Sequence, residues 1–547
     1  MTSKEPTRPI GEPTPASDGT LRAKTTLSPT ACRVRARLDV PPSKVMPIIV
    51  VPGIMGTNLR ASTKQGTERN RILKPGEVAW RPPNGAREGM SEAKKWEGTS
   101  TAARQAMLTG TTLEVDPNGN INLPPPVTIS GMNTDLARDY GWGEIHWSSY
   151  GKLLISLRRQ FTNFLTCTWD NAGLSSEWQG LNMFDRKRWG SYQDSFLEKF
   201  TISEVEKLGE YWYPVYAFGY NWLQSNEESA KHLQQLIERI IGNWSTPELD
   251  CRQVMLVTHS MGGLVARACA KAIPEKIRGV VHACMPALGA PVCYRRIACG
   301  TEASTPGNNV IENTAAEKFS IIAGRTPAET NSVMAYASGV LELLPNNLYS
   351  KPWLFMSSKA DASRVQDLQN PENDIYEVYR NTTVWYKVFQ RELLDPAKLY
   401  DNPEQAMSDT IKKAKKFHDS ILCDYYHSNT FTVFGADKKN FSYGCFSWLS
   451  PVSVRIALAD MKNGKLVGTF PSGARSVEFK NSQPIKFDPS VQDTEGDGTV
   501  PEQSAAACKK IVKAAFSLSG FSHQDVFDSD PARALMLQLT ARAILEP

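Results

Sequence analysis

The chain has 547 residues, 41% hydrophobic and 22% charged, a globular composition with material for one large domain or two to three smaller ones. A formal net charge of +5 over that length argues against a dedicated nucleic-acid binder and gives only a slight bias toward anionic lipid. No run reaches the roughly 18 to 20 apolar residues of a spanning helix. The 10 cysteines contain no C-x-x-C pair, so no zinc site is expected. Reduced thiols are expected at synthesis, with Cys293 and Cys299 the pair that an oxidising compartment could join.

Residues 1–45, rich in Pro, Thr, Ser and Arg, lack an apolar h-region and read as a disordered or adaptor tail without a Sec-type signal. Ile48 to Val51 predict a buried parallel strand. The loop Pro52-Gly53-Ile54-Met55-Gly56 follows, its backbone N–H groups little hindered by side chains. An insertion is expected from about 60 to 205, with little period as far as Val127. Later in it comes a helix with Leu153, Leu154, Leu157, Phe161 and Phe164 at three- and four-residue steps, capped by Ser148 or Ser149. Tyr213 to Trp222 predict a strand and turn, and Ser225 to Ile241 an amphipathic helix. Val254 to Val257 then form a buried strand, a helix begins at Gly263, and Ile277 to Cys284 give another strand.

Strands alternating with helices imply a parallel sheet covered on both faces, an α/β fold. The alternation stops from 292 to 428, where Thr383–Leu394 and Pro403–Leu422 look helical. An insertion of that size fits a cap or lid whose apolar groups could contact lipid. The sheet resumes at Thr430–Gly435. An antiparallel excursion containing Val454–Leu458 and Ser476–Lys480 follows, and an amphipathic helix, Pro531–Leu545, closes the chain. The expected division is a tail (1–45), a first core part (46–291), a cap (292–428) and a second core part (429–547).

The chemistry centres on Thr258-His-Ser-Met-Gly262. Strand, tight turn, serine, helix is the layout of a nucleophile elbow, in which small residues must flank the serine two positions either side. Gly262 meets that rule and Thr258 departs from it. A serine hydroxyl needs a base, and imidazole titrates near working pH. In α/β hydrolases the order along the chain is nucleophile, acid, histidine. Only His418, His427 and His523 lie well after the elbow. His523, in a loop ahead of the last helix, fits best. Among acids, Asp497 between Gly496 and Gly498 is preferred, with Asp493, Glu495 and Asp525 as rivals. The acidic cluster lacks regular calcium-loop spacing. His259, adjacent to Ser260 on a strand, points to the other face and is expected to pack or hydrogen-bond beneath the elbow.

Pro52-Gly-Ile-Met-Gly56, Thr258-His-Ser-Met-Gly-Gly263 and Gly496-Asp-Gly-Thr-Val-Pro501 resemble, in that order, the lecithin:cholesterol acyltransferase-like lipases and the related inositol-deacylase-like hydrolases. Tyr220-Asn-Trp222 is similar to that group's Tyr-Asp-Trp turn, and Leu341-Glu-Leu-Leu-Pro345 to a cap motif. The resemblance implies an α/β-hydrolase fold over roughly 46–545. It also implies Ser260, Asp497 and His523 as catalytic triad, with the Ile54 and Met261 N–H groups as the oxyanion hole. A weaker resemblance, in overall organisation and in Gly141-Trp-Gly-Glu-Ile-His-Trp-Ser-Ser-Tyr150, is to bacterial lipase effectors of type VI secretion. It implies synthesis in the cytoplasm without a signal peptide, delivery to the periplasm of a target cell, a phospholipid membrane as substrate, an immunity protein and a secretion-system component as partners. The expected activity is a serine lipase or phospholipase, of A type, needing no cofactor or metal. An acyltransferase, a non-lipid esterase or a non-catalytic binding protein on the same scaffold are the alternatives.

Overall fold

In a computed structural model the described residues run from 42 to 546, except 126–131, 168–171, 191–194, 306–307, 351, 360–364, 370–373, 452–459, 461–462 and 481. Before residue 42 only the short strands Thr14–Pro15 and Leu21–Arg22 are described. The expected strand Val454–Leu458 lies outside the described residues. Six runs form the central sheet: β1 (Ile48–Val51), β2 (Val215–Ala217), β3 (Val254–His259), β4 (Ile277–Ala283), β5 (Thr430–Gly435) and β6 (Ala514–Leu518). Their spatial order is β2-β1-β3-β4-β5-β6, with every neighbouring pair parallel. β1 and β3 are buried throughout, so their apolar runs are continuous and do not alternate.

Helices cover both faces. On one, α2 (Asn226–Trp244) packs on α3 (Gly262–Ala272); on the other, α1 (Trp147–Gln160) packs on α5 (Asp530–Leu545). A further helix, α4 (Val310–Ala323), lies in the segment that connects β4 to β5. Two of the insertions meet in one accessory sheet. Leu354–Ser358 pairs in parallel with Phe446–Ser450, and antiparallel strands at Ile485–Pro489, Arg475–Glu478 and Lys465–Thr469 extend it. Among the described residues no helix is long and apolar enough to cross a membrane.

Several local expectations need correction. The segment from 60 to 127 carries a three-stranded antiparallel sheet (Leu59–Ala61, Val78–Trp80, Leu113–Val115) and the helices Ala86–Glu97 and Thr101–Met107. Buried Trp80 and Trp96 anchor it, a core too short-ranged for a period to show. Neither Ser148 nor Ser149 caps α1. The N-cap is His146, the Asn84 Oδ1 accepts the Ser148 N–H from 64 residues away, and Ser149 Oγ bonds to His146. Of Thr383–Leu394 only Arg391–Leu393 forms a helical turn. The Asn381 side chain accepts the Thr383 and Val384 N–H groups and so competes with helix at its start. Helix α5 is buried almost all round rather than amphipathic. The stretch Phe196–Lys199 covers it, its carbonyls accepting from Gln538 and Arg542.

The Leu341-Glu-Leu-Leu-Pro345 stretch has a structural task. The buried Glu342 carboxyl accepts from Ser225 Oγ (2.7 Å) and the Asn226 N–H (2.8 Å), and so ties the β4–β5 connection to the first turn of α2. Burial raises this carboxyl to about 8, against partial opposition from those two donors. In the unfolded chain it ionises near 4.5. The native state therefore holds the proton longer, and the stability present at low pH is lost as pH rises through that window. Glu342→Gln, which keeps an acceptor and cannot ionise, is expected to gain relative to wild type between pH 5 and 8 in thermal unfolding. Parallel profiles would contradict this.

Candidate active site

β3 delivers its chain into a sharp turn at Ser260, whose φ of 51° is left-handed, a costly conformation for a non-glycine residue. The Ser260 N–H donates to Ala283 O at the end of β4 (2.9 Å), and Ser260 O accepts from the Gly263 N–H (2.9 Å), which starts α3. This geometry draws the neighbouring backbone close. A Cβ on Gly262 would lie 2.3 Å from Pro52 O, and one on Gly53 would lie 2.8 Å from Ser260 Cβ. Glycine is required at both positions.

Asp497, just after the strand Thr494–Gly496 in the long β5–β6 connection, and His523, in the loop after β6, are brought to Ser260 from far along the chain. Ser260 Oγ lies 2.8 Å from His523 Nε2, and His523 Nδ1 lies 2.7 Å from Asp497 Oδ2. A carboxylate only accepts, so Nδ1 carries the proton and Nε2 is left to accept from the serine hydroxyl. The His523 N–H also donates to Asp497 O (2.7 Å), which holds the base loop on the acid loop. Asp497 is fully buried. Burial alone would raise its carboxyl, but His523 and the Val500 and Thr499 N–H groups (2.7 and 3.0 Å) outweigh that and hold it below the usual range.

The rivals sit elsewhere. Asp493 accepts from the Gly444 and Cys445 N–H groups and fixes a hairpin, Glu495 lies near Lys438, and Asp525 accepts from Ser522 Oγ. His418 is buried between Tyr376 and Glu342 O, and His427 bonds Pro274 O. The Ile54 and Met261 N–H groups donate to no group among the described residues; Ile54 lines the cavity that holds Ser260, and Met261 follows the serine in the chain. Cys293 and Cys299 are free thiols, buried on the helix Pro291–Cys299.

The sequence does not show the partner of Thr258 or the place of the Cys284 thiol, and the hydrogen bonding expected of His259 has specific partners. Thr258 fills no glycine slot: its hydroxyl bonds His282 Nδ1 (2.7 Å) across the β3–β4 register, both groups buried. Cys284, itself at a φ of 53°, turns its thiol to Asp497. Burial and the adjoining carboxylate push that thiol well up, so it stays a donor. His259 points away from Ser260, as strand alternation requires, and bonds Tyr150 OH (2.9 Å) and His523 O (3.0 Å). His259, Cys284 and His523 also hold donor atoms within 4.8 Å of one another, a spacing a metal ion could use. Each of these donors is already committed to a hydrogen bond in this network.

Ser260 and His523 line a cavity of about 800 Å³ whose far wall is apolar, with Val292, Ile297, Phe319, Met334 and Leu343. A larger and more polar cavity, about 1220 Å³, lies against α2 and the Phe218–Asn221 turn and does not include Ser260. Ser260, His523 and Asp497 thus share the smaller and more apolar of these two cavities.

Sheet order, elbow and the loops bearing Asp497 and His523 make this an α/β-hydrolase fold. The lecithin:cholesterol acyltransferase family model matches residues 197–439. A chain in the solved crystal structure of the Tle4–Tli4 complex superposes with a TM-score of 0.73 at 27% identity, covering 92% of this chain and 99% of that one. An uncharacterized protein of Saccharomyces cerevisiae is 35% identical over 72 residues, 13% of this chain. The matched part spans only 10% of that yeast protein. The resemblance to lecithin:cholesterol acyltransferase-like lipases and type VI lipase effectors is thus borne out, and these likenesses support a lipid-acting hydrolase or acyltransferase.

Restoring the usual glycine at the elbow is expected to harm the protein. Thr258→Gly should lower stability by about 1–3 kcal/mol in urea unfolding, because it orphans buried His282. Unchanged or higher stability would contradict that account.

Proposed function

We propose that the protein is a serine lipase or phospholipase, of A type, acting on the acyl esters of glycerophospholipids. The observation that carries this is Ser260 Oγ at 2.8 Å from a histidine held by a buried carboxylate, on the floor of an apolar cavity. In this reading Ser260 attacks the acyl carbonyl while His523 Nε2 takes its proton. Asp497 stabilises the imidazolium so formed. The Ile54 and Met261 N–H groups receive the oxyanion, and His523 returns the proton to the departing alcohol. Water, deprotonated by His523, then frees the fatty acid. The acyl chain would lie along Val292, Phe319 and Leu343. No step calls on a cofactor.

An acyltransferase is the second reading, favoured by the name of the matching family: an alcohol would replace water on the same acyl-enzyme. The likeness to a chain solved in a complex of two proteins supports a dedicated inhibitory partner, an immunity protein. With the resemblance to type VI effectors, it supports export through a secretion-system component and action on membranes of a target cell. The net charge supports no nucleic-acid partner.

Incubation with mixed phospholipid vesicles and mass analysis of the products is expected to show lysophospholipid and free fatty acid. Ser260→Ala should lower the rate on the order of 10⁶-fold. Asp497→Asn should lower it about 10⁴-fold by destroying the imidazole tautomer, and Asp493→Asn far less. No fatty acid from any phospholipid, or a larger loss from Asp493→Asn, would overturn the assignment.

A further inference from the structure

We propose that Tyr150 and His259 are positioning residues that couple the oxyanion loop to the loop carrying the base. The proposal rests on Ser260 as nucleophile and goes beyond it. One buried chain of hydrogen bonds joins the two loops. The Gly53 N–H donates to Tyr150 OH (2.8 Å), Tyr150 OH meets His259 Nδ1 (2.9 Å), and His259 Nε2 meets the His523 carbonyl (3.0 Å).

Donor and acceptor accounting assigns every proton. An N–H can only donate, so the Tyr150 oxygen accepts from Gly53 and its own hydrogen goes to His259 Nδ1. A carbonyl can only accept, so His259 Nε2 carries the hydrogen toward His523 O. The chain is satisfied only with His259 neutral. Complete burial, reinforced by the adjacent His523, keeps it so by lowering its pKa to about 3. His259 therefore stays uncharged while His523 becomes an imidazolium during turnover.

At one end the chain anchors the Pro52–Gly53 peptide, the immediate neighbour of the one that carries the Ile54 N–H. Gly53 O accepts from the Gly56 N–H (3.1 Å) while the Gly53 N–H is turned onto Tyr150. In a trans peptide the N–H points opposite the carbonyl, so fixing Gly53 O also fixes the Ile54 N–H. At the other end, His523 is gripped at both backbone groups, N–H by Asp497 O and carbonyl by His259. The rings of Tyr150 and His259 are also clamped by Phe527, with centroids at 6.0 and 5.5 Å. The face of β3 opposite the nucleophile thus sets the spacing between oxyanion donor and base.

The test uses the full chain, hydrolysis of a short soluble p-nitrophenyl ester, and inhibition by an alkylboronic acid, whose tetrahedral serine adduct places an oxygen in the oxyanion hole. Tyr150→Phe and His259→Leu are each expected to lower kcat by about 10- to 100-fold, leave KM within about twofold, and raise the boronic acid Ki by a similar factor to the loss of kcat/KM. Because both changes cut one chain, the double variant should be no more than about threefold worse than the worse single. His259→Gln, which keeps a donor for His523 O, should recover about tenfold over His259→Leu. Partial unfolding would lower kcat and leave Ki unchanged; that result, or multiplicative losses in the double variant, would overturn the proposal. Failure of the nucleophile reading is separate: it would appear as Ser260→Ala retaining wild-type ester hydrolysis.

Discussion

The structure turns on the strained backbone of Ser260. A left-handed φ at the end of a fully buried strand costs of order 1–3 kcal/mol, and persists only if its surroundings over-determine it. Those surroundings are specific: Ala283 O holds the serine N–H, the Gly263 N–H holds its carbonyl, and Gly53 and Gly262 let neighbouring backbone come within contact. The strain lifts the serine hydroxyl off the sheet, at the place where the β5–β6 connection and the loop after β6 arrive with an acid and an imidazole. Sheet order explains why these loops can meet there. β5 and β6 lie on the far side of β4 from β3, so their carboxyl ends open toward the elbow.

Around that point nearly every polar atom is spoken for. Asp497 gathers donors from His523, Thr499, Val500 and Cys284, enough to keep it ionised although it is fully buried. Thr258 and His282 satisfy each other on the α3 face of the sheet; His259 and Tyr150 do so on the α1 face. A low-dielectric setting makes such bonds strong and makes a missing one costly. The elbow is therefore framed by two polar pairs, one on each face of the sheet.

Much of this was legible in the sequence because the signals were local. Continuous apolar runs marked the strands, and Gly-Asp-Gly and Ser-His near the C-terminus stood in hydrolase order. The features that no local pattern carries depend on contacts across long separations. Asn84 caps a helix 64 residues on, Glu342 caps another across 116, and His259 reaches a carbonyl 264 residues away. No periodicity reports these. The final helix misled for a related reason: its polar residues, Gln538 and Arg542, look solvent-facing until the insertion supplies carbonyls for them. Thr258 departs from the motif's glycine because its register partner is a histidine, which a hydroxyl at this position can meet.

Whether Ser260 carries the acyl group is tested most directly on the acid-quenched protein. Mixed with a slowly deacylated ester, quenched and digested, it should yield the peptide spanning Val254–Arg267 with the added acyl mass on Ser260. Turnover with no acylated peptide, or with the acyl group on any other residue, would contradict the account.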